Sequence, residues 1–467
     1  MPDPLTVVGI GADGWPGLSP LAQQAITTAE VLLGSTRQLA LIPTTPAADP
    51  SATTHPGDGS SAARPGDGSG TARPGDGSSS TRPGDGSSST RREGGARVRP
   101  PLSASGAEGA ASGGQVRVAW TSPLSESLTG LLATHRGRRI CVLASGDPTF
   151  HGIGTTLTRM LGAEAVRVIP HPSSVSLACA RLGWPQDQVQ VVSLVGHPLE
   201  LVQPHVQPGR RLVILSWGAQ TPAEVAELLV QRGYGGSAFT VLEQLGSGDE
   251  RVRSTRADEW SGEVDALNVI GVLCEADDGV ELLSTTPGLP DSAYESDGQL
   301  TKREVRAVTL SRLAPVPGQL LWDVGGGAGS IAIEWLRHHP SCRAVAIEQD
   351  PDRAKRLDRN ATTLGVAVRT VVGSAPTALE GLEAPNAVFV GGGATIPGVI
   401  DTCWEALRPG GRLVVNGVTL ETEALIARWY AELGGDLVRL AVQRASAVGT
   451  MTGWRPAMPV TIWSLTK

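Results

Sequence analysis

The residues best placed to do chemistry are Trp322-Asp323-Val324-Gly325-Gly326-Gly327-Ala328-Gly329-Ser330-Ile331. An apolar run from Gln319 to Val324 enters a glycine turn spaced D-x-G-x-G-x-G, and a helix-like stretch from Ser330 to His338 leaves it. Glycine allows a tight turn and a close ligand approach, because no Cβ stands in the way. The helix that follows points its N-terminus at whatever the turn holds. A second apolar run, Ala344-Val345-Ala346-Ile347, ends in Glu348. A carboxylate about twenty residues past the loop can hold a ribose diol. Together these predict a nucleotide-type pocket.

The spacing narrows the ligand. A dinucleotide fingerprint reads G-x-G-x-x-G/A. Counted from Gly325 and Gly327, its third small residue would be Ser330, which disfavours a nicotinamide reductase. The tighter G-x-G-x-G, with Asp323 just ahead, resembles the S-adenosylmethionine (SAM) loop of Rossmann-type methyltransferases. A plain glycine-rich turn explains the loop alone. It does not explain a strand, loop, helix, second strand and terminal acid in register.

These elements must be carried by domains with cores of their own, and 467 residues suffice for two or three. No run of about 18 apolar residues occurs, so no transmembrane helix and no membrane partner are expected. Met1-Pro2-Asp3-Pro4 opens without a basic, signal-type region, so a cytoplasmic location is expected. A net charge of −7 makes nucleic acid an unexpected partner. Five cysteines without C-x-x-C spacing, and eight histidines without metal spacing, predict neither disulfides nor a metal site.

The segment from about 44 to 114 differs in kind. Pro-Gly-Asp-Gly-Ser recurs from Pro56, Pro65, Pro74 and Pro83, with a period of nine. A calcium-binding β-roll would need an apolar residue in each turn, and those positions are Ser, Ala or Thr. So little apolar surface cannot offset the entropy of ordering. The segment is predicted to be a disordered insertion, neutral because its seven arginines match its seven acids.

Structured sequence flanks it. Strands are expected at Leu5–Val8, Arg139–Ala144, Val166–Ile169, Leu212–Ser216 and Ala238–Leu242. Helices are expected at Leu18–Ala29, from about Gly154 to Leu161, and at Pro222–Arg232. Alternating β and α implies a mostly parallel sheet. A first domain over 1–275, a linker over 276–298 and a second domain over 299–467 follow. In the second, further strands are expected at Val368–Val372, Ala387–Val390, Arg412–Asn416, Leu437–Gln443 and Val460–Leu465. That makes seven strands with a late hairpin.

The ordered tokens of the chain resemble one family over nearly its whole length, the insertion excepted. In the first domain they are Gly9-Ile10-Gly11, Gly34-Ser35-Thr36-Arg37-Gln38-Leu39, Ser145-Gly146-Asp147-Pro148, Gly152-Ile153-Gly154, Pro172-Ser173-Ser174-Val175, Thr221-Pro222 and Val241-Leu242-Glu243-Gln244-Leu245-Gly246. In the second they are Thr301-Lys302-Arg303-Glu304-Val305-Arg306-Ala307, the glycine loop, Ala346-Ile347-Glu348, Phe389-Val390-Gly391-Gly392 and Val415-Asn416-Gly417-Val418-Thr419-Leu420-Glu421. The chain resembles the bifunctional precorrin-6Y C(5,15)-methyltransferase (decarboxylating) family of cobalamin biosynthesis.

The resemblance implies an α/β chain: a two-lobed tetrapyrrole-methylase domain, then a Rossmann-like SAM-dependent methyltransferase domain. It implies methylation of a precorrin-6 type tetrapyrrole at carbons 5 and 15 with decarboxylation of an acetate side chain, and a homo-oligomer. SAM would sit against Gly9, Gly11, Ser145, Gly146, Asp147, Ser173 and Ser174 in the first domain. In the second it would meet Asp323, Gly325, Gly327, Gly329, Glu348, Ser374 and Gly391. The family's Gly-Asp-Ala-Pro reads Gly373-Ser374-Ala375-Pro376 here, so Ser374 would accept a hydrogen bond without charge. The family's Pro-Asp before the fourth strand reads Pro385-Asn386, and its first-domain His-Gly-Arg stretch reads Val195-Gly196-His197-Pro198, a loop left without a role. The polycarboxylate substrate (precorrin-6B type) calls for local cations in an acidic protein, with Lys302, Arg303 and Arg306 the candidates. Glu304 and Glu421 are the candidate general bases, and His151 and His171 are read as packing or turn residues. One alternative makes only the second domain catalytic, the first being a ligand-binding or carrier module. Another makes the whole chain a non-catalytic tetrapyrrole carrier.

Overall fold

A computed structural model of the chain describes residues 4–44, 114–121 and 124–467. The repeat insertion expected over 44–114 lies, apart from its two end residues, outside the described residues. Three sheets with flanking helices and one separate hairpin make up the described fold.

The first lobe is a five-stranded sheet of β1 (Leu5–Ile10), β2 (Val31–Gly34), β3 (Val116–Ala119), β4 (Ile140–Ser145) and β5 (Val166–Ile169). Their order is β3-β2-β4-β1-β5, and every pairing is parallel. Around it run α1 (Gly14–Gly17), α2 (Pro20–Thr28), α3 (Thr36–Ala40), α4 (Leu124–Thr134) and α5 (Ile153–Leu161). Ser19 starts α2 by accepting from the Ala22 amide at 3.3 Å, ahead of Pro20, whose missing N–H is no loss there. Ser35 and Gln38 form a reciprocal capping box at α3. Strands β1, β2 and β4 are apolar almost throughout because helices cover both faces.

The second lobe contains α6 (Ser174–Leu182) and α7 (Thr221–Gln231). Its sheet is built from β6 (Val189–Ser193), β7 (Arg211–Leu215), β8 (Ala238–Glu243), β9 (Arg251–Arg256) and β10 (Asn268–Leu273). Its order is β6-β7-β10-β8-β9, and only β6–β7 is parallel. The mostly parallel arrangement expected from the β/α alternation holds for the first lobe. In the second lobe the chain reverses between β8 and β9, and β10 returns between β7 and β8, antiparallel to both.

The third sheet carries the glycine loop. Its elements are α8 (Arg303–Leu313), β11 (Leu320–Val324), α9 (Ser330–His338), β12 (Arg343–Glu348), α10 (Pro351–Thr363), β13 (Arg369–Val372), β14 (Ala387–Val390), α11 (Val399–Ala406), β15 (Arg412–Gly417), α12 (Leu420–Leu433) and β16 (Asp436–Leu440). Then come β17 (Gln443–Val448), β18 (Met451–Pro456) and β19 (Val460–Thr466). The sheet order is β13-β12-β11-β14-β15-β19-β16. The five strands from β13 to β15 are parallel, and β19 runs antiparallel between β15 and β16. The strand expected over 437–443 divides. Leu440 is the last residue paired with β19, and residues 443–456 pair with each other as a separate hairpin.

The core of this unit holds Trp322, Trp335 and Trp463, all buried. The latter two also place their indole N–H groups on backbone carbonyls, Arg343 and Gly434. Burying large aromatics with a satisfied polar edge is strongly favourable. Residues 276–298 lie against this unit, with Leu289 and Tyr294 buried beside Ile333 and Ala361. Among the described residues no helix is long and apolar enough to cross a membrane.

Candidate active site

The glycine loop leaves β11 at Val324 and turns back on itself. Gly325, Gly327 and Gly329 all have positive φ, at 77°, 55° and 80°. A Cβ on Gly325 would lie 2.7 Å from the Gly392 amide nitrogen, so the loop and the turn after β14 pack backbone to backbone. Amides of Gly325 and Gly326 both donate to the Ile347 carbonyl, at 2.9 and 3.0 Å. These bonds tie the loop to the end of β12.

Two buried acids stand at the loop. Asp323 accepts from the Ala332 amide at 3.0 Å, inside the first turn of α9. Glu348 accepts from the Gly327 amide at 2.8 Å and the Asp350 amide at 3.0 Å. Burial pushes the Asp323 carboxyl up to about 7; the Ala332 amide opposes this and the Glu348 charge adds to it.

A cavity of about 820 Å³ opens over the loop, within the usual size of small-molecule sites. Asp323, Gly325, Gly327, Glu348, Ser374 and Gly391 line it, so six of the seven second-domain cofactor candidates converge. Gly329 does not line it. It is the residue before α9, and a Cβ there would meet Leu357 at 2.6 Å. The residues that converge fit a nucleoside-bearing ligand: glycine turns packed too closely for a Cβ, an acid at the end of β12, and the start of a helix.

The substrate-side candidates separate. Lys302 and Glu304 line the cavity. Lys302 Nζ lies 3.9 Å from Asp291, and Glu304 accepts from Arg444 Nη2 at 2.5 Å. Arg306 was expected among the pocket cations and is instead wholly buried. Its Nε donates to Glu334 at 2.5 Å, its other nitrogens donate to the Thr301 and Leu289 carbonyls, and its guanidinium carbon lies over the Tyr294 ring, 4.8 Å from the ring centre. Helical periodicity explains this: Val305, Arg306, Thr309, Leu310 and Leu313 form the inward face of α8. Glu421 also does not line the cavity. It is exposed in the first turn of α12, where its own amide and the Thr419 hydroxyl hold its carboxyl below the usual range.

In the first lobe the candidates gather at the carboxyl ends of β1, β4 and β5, the edge where parallel sheets bind ligands. A Cβ on Gly9 would lie 2.2 Å from the Gly146 carbonyl and 2.8 Å from the His171 amide, and one on Gly11 would meet Asp13 and His171. Gly146 has φ of 59° and donates to the Ile10 carbonyl at 2.9 Å. Ser145 accepts from Arg37 at 2.9 Å and Gln38 at 3.0 Å. Asp147 accepts from the Thr149 amide and hydroxyl at 2.8 and 2.7 Å, which is turn chemistry. Ser173 caps α6 through the Ser176 amide at 3.0 Å, and Ser174 is the first residue of that helix.

Three features carried no assigned role in the sequence. Arg444 reaches the cavity from a strand with no motif around it. Asp13 lies 3.3 Å from His171 Nε2 across the first glycine turn, a pairing between residues far apart in the chain. Asn416 lines the cavity and donates to Thr309 at 2.9 Å. Its position at the end of β15 was the signal available.

Comparison with known proteins adds a second line of observation. Residues 292–467 match the family described as Precorrin methyltransferase domain, and residues 121–260 match Tetrapyrrole (Corrin/Porphyrin) Methylases. The chain is 50% identical over 350 residues to a Sinorhizobium precorrin-6Y C(5,15)-methyltransferase (decarboxylating), covering 74% of this chain and 84% of that protein. It is 39% identical over 469 residues to a Mycobacterium tuberculosis protein of the same name, covering 99% of this chain and 100% of the other. A solved structure, the C-terminal domain of precorrin-6Y C5,15-methyltransferase from Rhodobacter capsulatus, is 44% identical and covers 40% of this chain and 100% of its own, with a TM-score of 0.38.

Proposed function

From the premise that this chain belongs to the precorrin-6Y C(5,15)-methyltransferase (decarboxylating) family, we propose a SAM-dependent, two-site enzyme. It acts in cobalamin biosynthesis, methylating a precorrin at carbons 5 and 15 and removing carbon dioxide from an acetate side chain. The observation that carries this is the match of one chain, from end to end, to relatives of that name. A reading in which only the second unit is catalytic is not favoured, because the first unit matches a methylase family of its own.

We assign residues 1–275 to the first methyltransferase unit, 276–298 to the connection and 299–467 to the decarboxylating unit. Glu348 is assigned to the ribose of SAM, the turns at Gly325–Gly327 and Gly391 to its close packing, and Asp323 and Ser374 to hydrogen bonds. Gly9, Gly11, Gly146 and Ser174 are assigned to the first site. When bound, SAM supplies an electrophilic methyl group on a sulfonium sulfur. The chain's own residues then have three tasks: to orient the acceptor carbon, to exclude water, and to hold the substrate's carboxylates. A protonated conjugated ring is its own electron sink for decarboxylation, so the protein need supply none. Lys302 and Glu304, at the cavity wall, are assigned to the substrate side. Exposed Val448, Met451 and Trp454 on the hairpin support a homo-oligomer, and the family's biosynthetic role supports a cytoplasmic location.

The test is incubation with SAM and metal-free precorrin-6B, followed by mass. Gain of two methyl groups with loss of one carbon dioxide is the expected product. One methyl group with decarboxylation would leave the first unit without its assigned role, and an unchanged substrate would refute the reading.

A further inference from the structure

The cavity has two ends. Glu348 and Asp323 close one, from β12 and β11. The other lies toward β15, β19 and β16, at the opposite side of the sheet order, and there Arg444 of β17 enters the lining. The lining cations differ in their commitments. Arg353 donates to Asp297 at 2.9 Å at the cofactor end, and Lys302, 3.9 Å from Asp291, is held as loosely as Arg444 but offers a compact ammonium in place of a planar guanidinium. Among the described residues Arg444 has one acidic partner, Glu304 at 2.5 Å, and both side chains are close to half exposed. An exposed pair of this kind is worth about 0–1 kcal/mol, so an incoming carboxylate can replace Glu304 at little cost. A guanidinium offers such a carboxylate two parallel hydrogen bonds.

We propose that Arg444 positions the tetrapyrrole by gripping a carboxylate that the reaction retains, with Glu304 holding the guanidinium in place beforehand. This rests on the function proposed above. The gripped group is a retained one for a physical reason. Decarboxylation carries the electron pair of the breaking C–C bond into the ring. A cation on the departing carboxylate would stabilise the starting ion more than the transition state and slow the step. A cation on a carboxylate that stays carries no such penalty and fixes the ring above the methyl donor.

The experiment uses the full chain with SAM and metal-free precorrin-6B, comparing wild type with R444Q, R444K and E304Q. For R444Q we expect the tetrapyrrole KM to rise about 10–100-fold, the scale of one lost charge-assisted contact, with kcat and SAM affinity close to wild type. R444K recovers part of the loss. E304Q lowers KM, because the competing carboxylate is gone. Wild-type KM in R444Q and R444K with SAM still bound overturns the proposal and leaves the proposed activity standing. So does a fall in kcat with KM unchanged in E304Q, which would make Glu304 act on the reacting atoms. A wild-type chain inert on this substrate overturns the activity and the proposal together.

Discussion

Arg306 Nε and Glu334 Oε1 lie 2.5 Å apart, with both side chains sealed from solvent. Glu334 also accepts from the Gly288 and Leu289 amides and the Tyr294 hydroxyl, at 2.6, 3.0 and 2.9 Å. One carboxylate therefore fastens residues 288–294 to α8 and α9, beside the glycine loop. Burial and the Glu334 charge keep the Tyr294 phenol well above its usual range, so it remains a donor. Removing one partner leaves a buried charge uncompensated. Arg306→Ala should cost about 3–5 kcal/mol in urea unfolding. An R306A protein of wild-type stability with only a raised substrate KM would return Arg306 to the pocket.

Asp323 contributes a loss of stability toward high pH. Its carboxyl is pushed from 3.8 up to about 7 in the folded chain. Its contribution is thus fully present below 3.8 and is lost as pH rises through 7. Asp323→Asn should melt higher than wild type at pH 8, with the gap closing toward pH 4, while SAM affinity falls. A gap that does not change with pH would sink this account.

His205 acts in the opposite direction. Burial, with Arg210 and Arg337 nearby, depresses its imidazole from 6.5 to about 4. The stability this neutral ring contributes is present above 6.5 and is lost as pH falls through 4. In H205N, acid unfolding between those values should be shallower. The comparison is a denaturant midpoint series, and parallel slopes for the two proteins would contradict the assignment.

The glycine turns allow the two sites to be separated. A Cβ on Gly9 has no room beside the Gly146 carbonyl. Gly9→Ala should abolish the first unit's methylation and leave a product with one added methyl and the carbon dioxide lost. Gly325→Ala, at positive φ and against Gly392, should weaken SAM binding at the second site about 100-fold or more. Mass of the product and SAM titration read the two effects apart.

Local chemistry was legible in the sequence, and long-range placement was not. Asp323, Gly325 and Glu348 were found because strand, turn and acid follow one another along the chain. Arg306 and Lys302 sit four residues apart in one motif and read alike. Only packing shows that one faces the core and the other the cavity. Strand β9, Arg-Val-Arg-Ser-Thr-Arg, escaped because an edge strand needs little apolar content. Strand β2 escaped because three apolar residues and a glycine after a helix carry no period. Arg444 escaped because nothing near it in sequence foretells a hairpin that folds back over the cavity.

Deleting 54–95 should leave turnover and melting temperature within error of wild type. A large loss in either would give the repeat a role in the enzyme.

Arg117, three residues into the described chain after the repeat, donates to the carbonyls of Ile42 and Pro43 just before it, at 3.0 and 2.6 Å. Strands β2 and β3 on either side are direct parallel neighbours, in register from Val31 opposite Val116. The exit and the return of the repeat are thus stapled together by the folded lobe itself. Closing a longer excursion from such a staple costs only about 0.6 kcal/mol per doubling of length. Length at this point is close to a free variable: a splice port where a tag or a whole second protein can be grafted while the sheet beneath keeps its register.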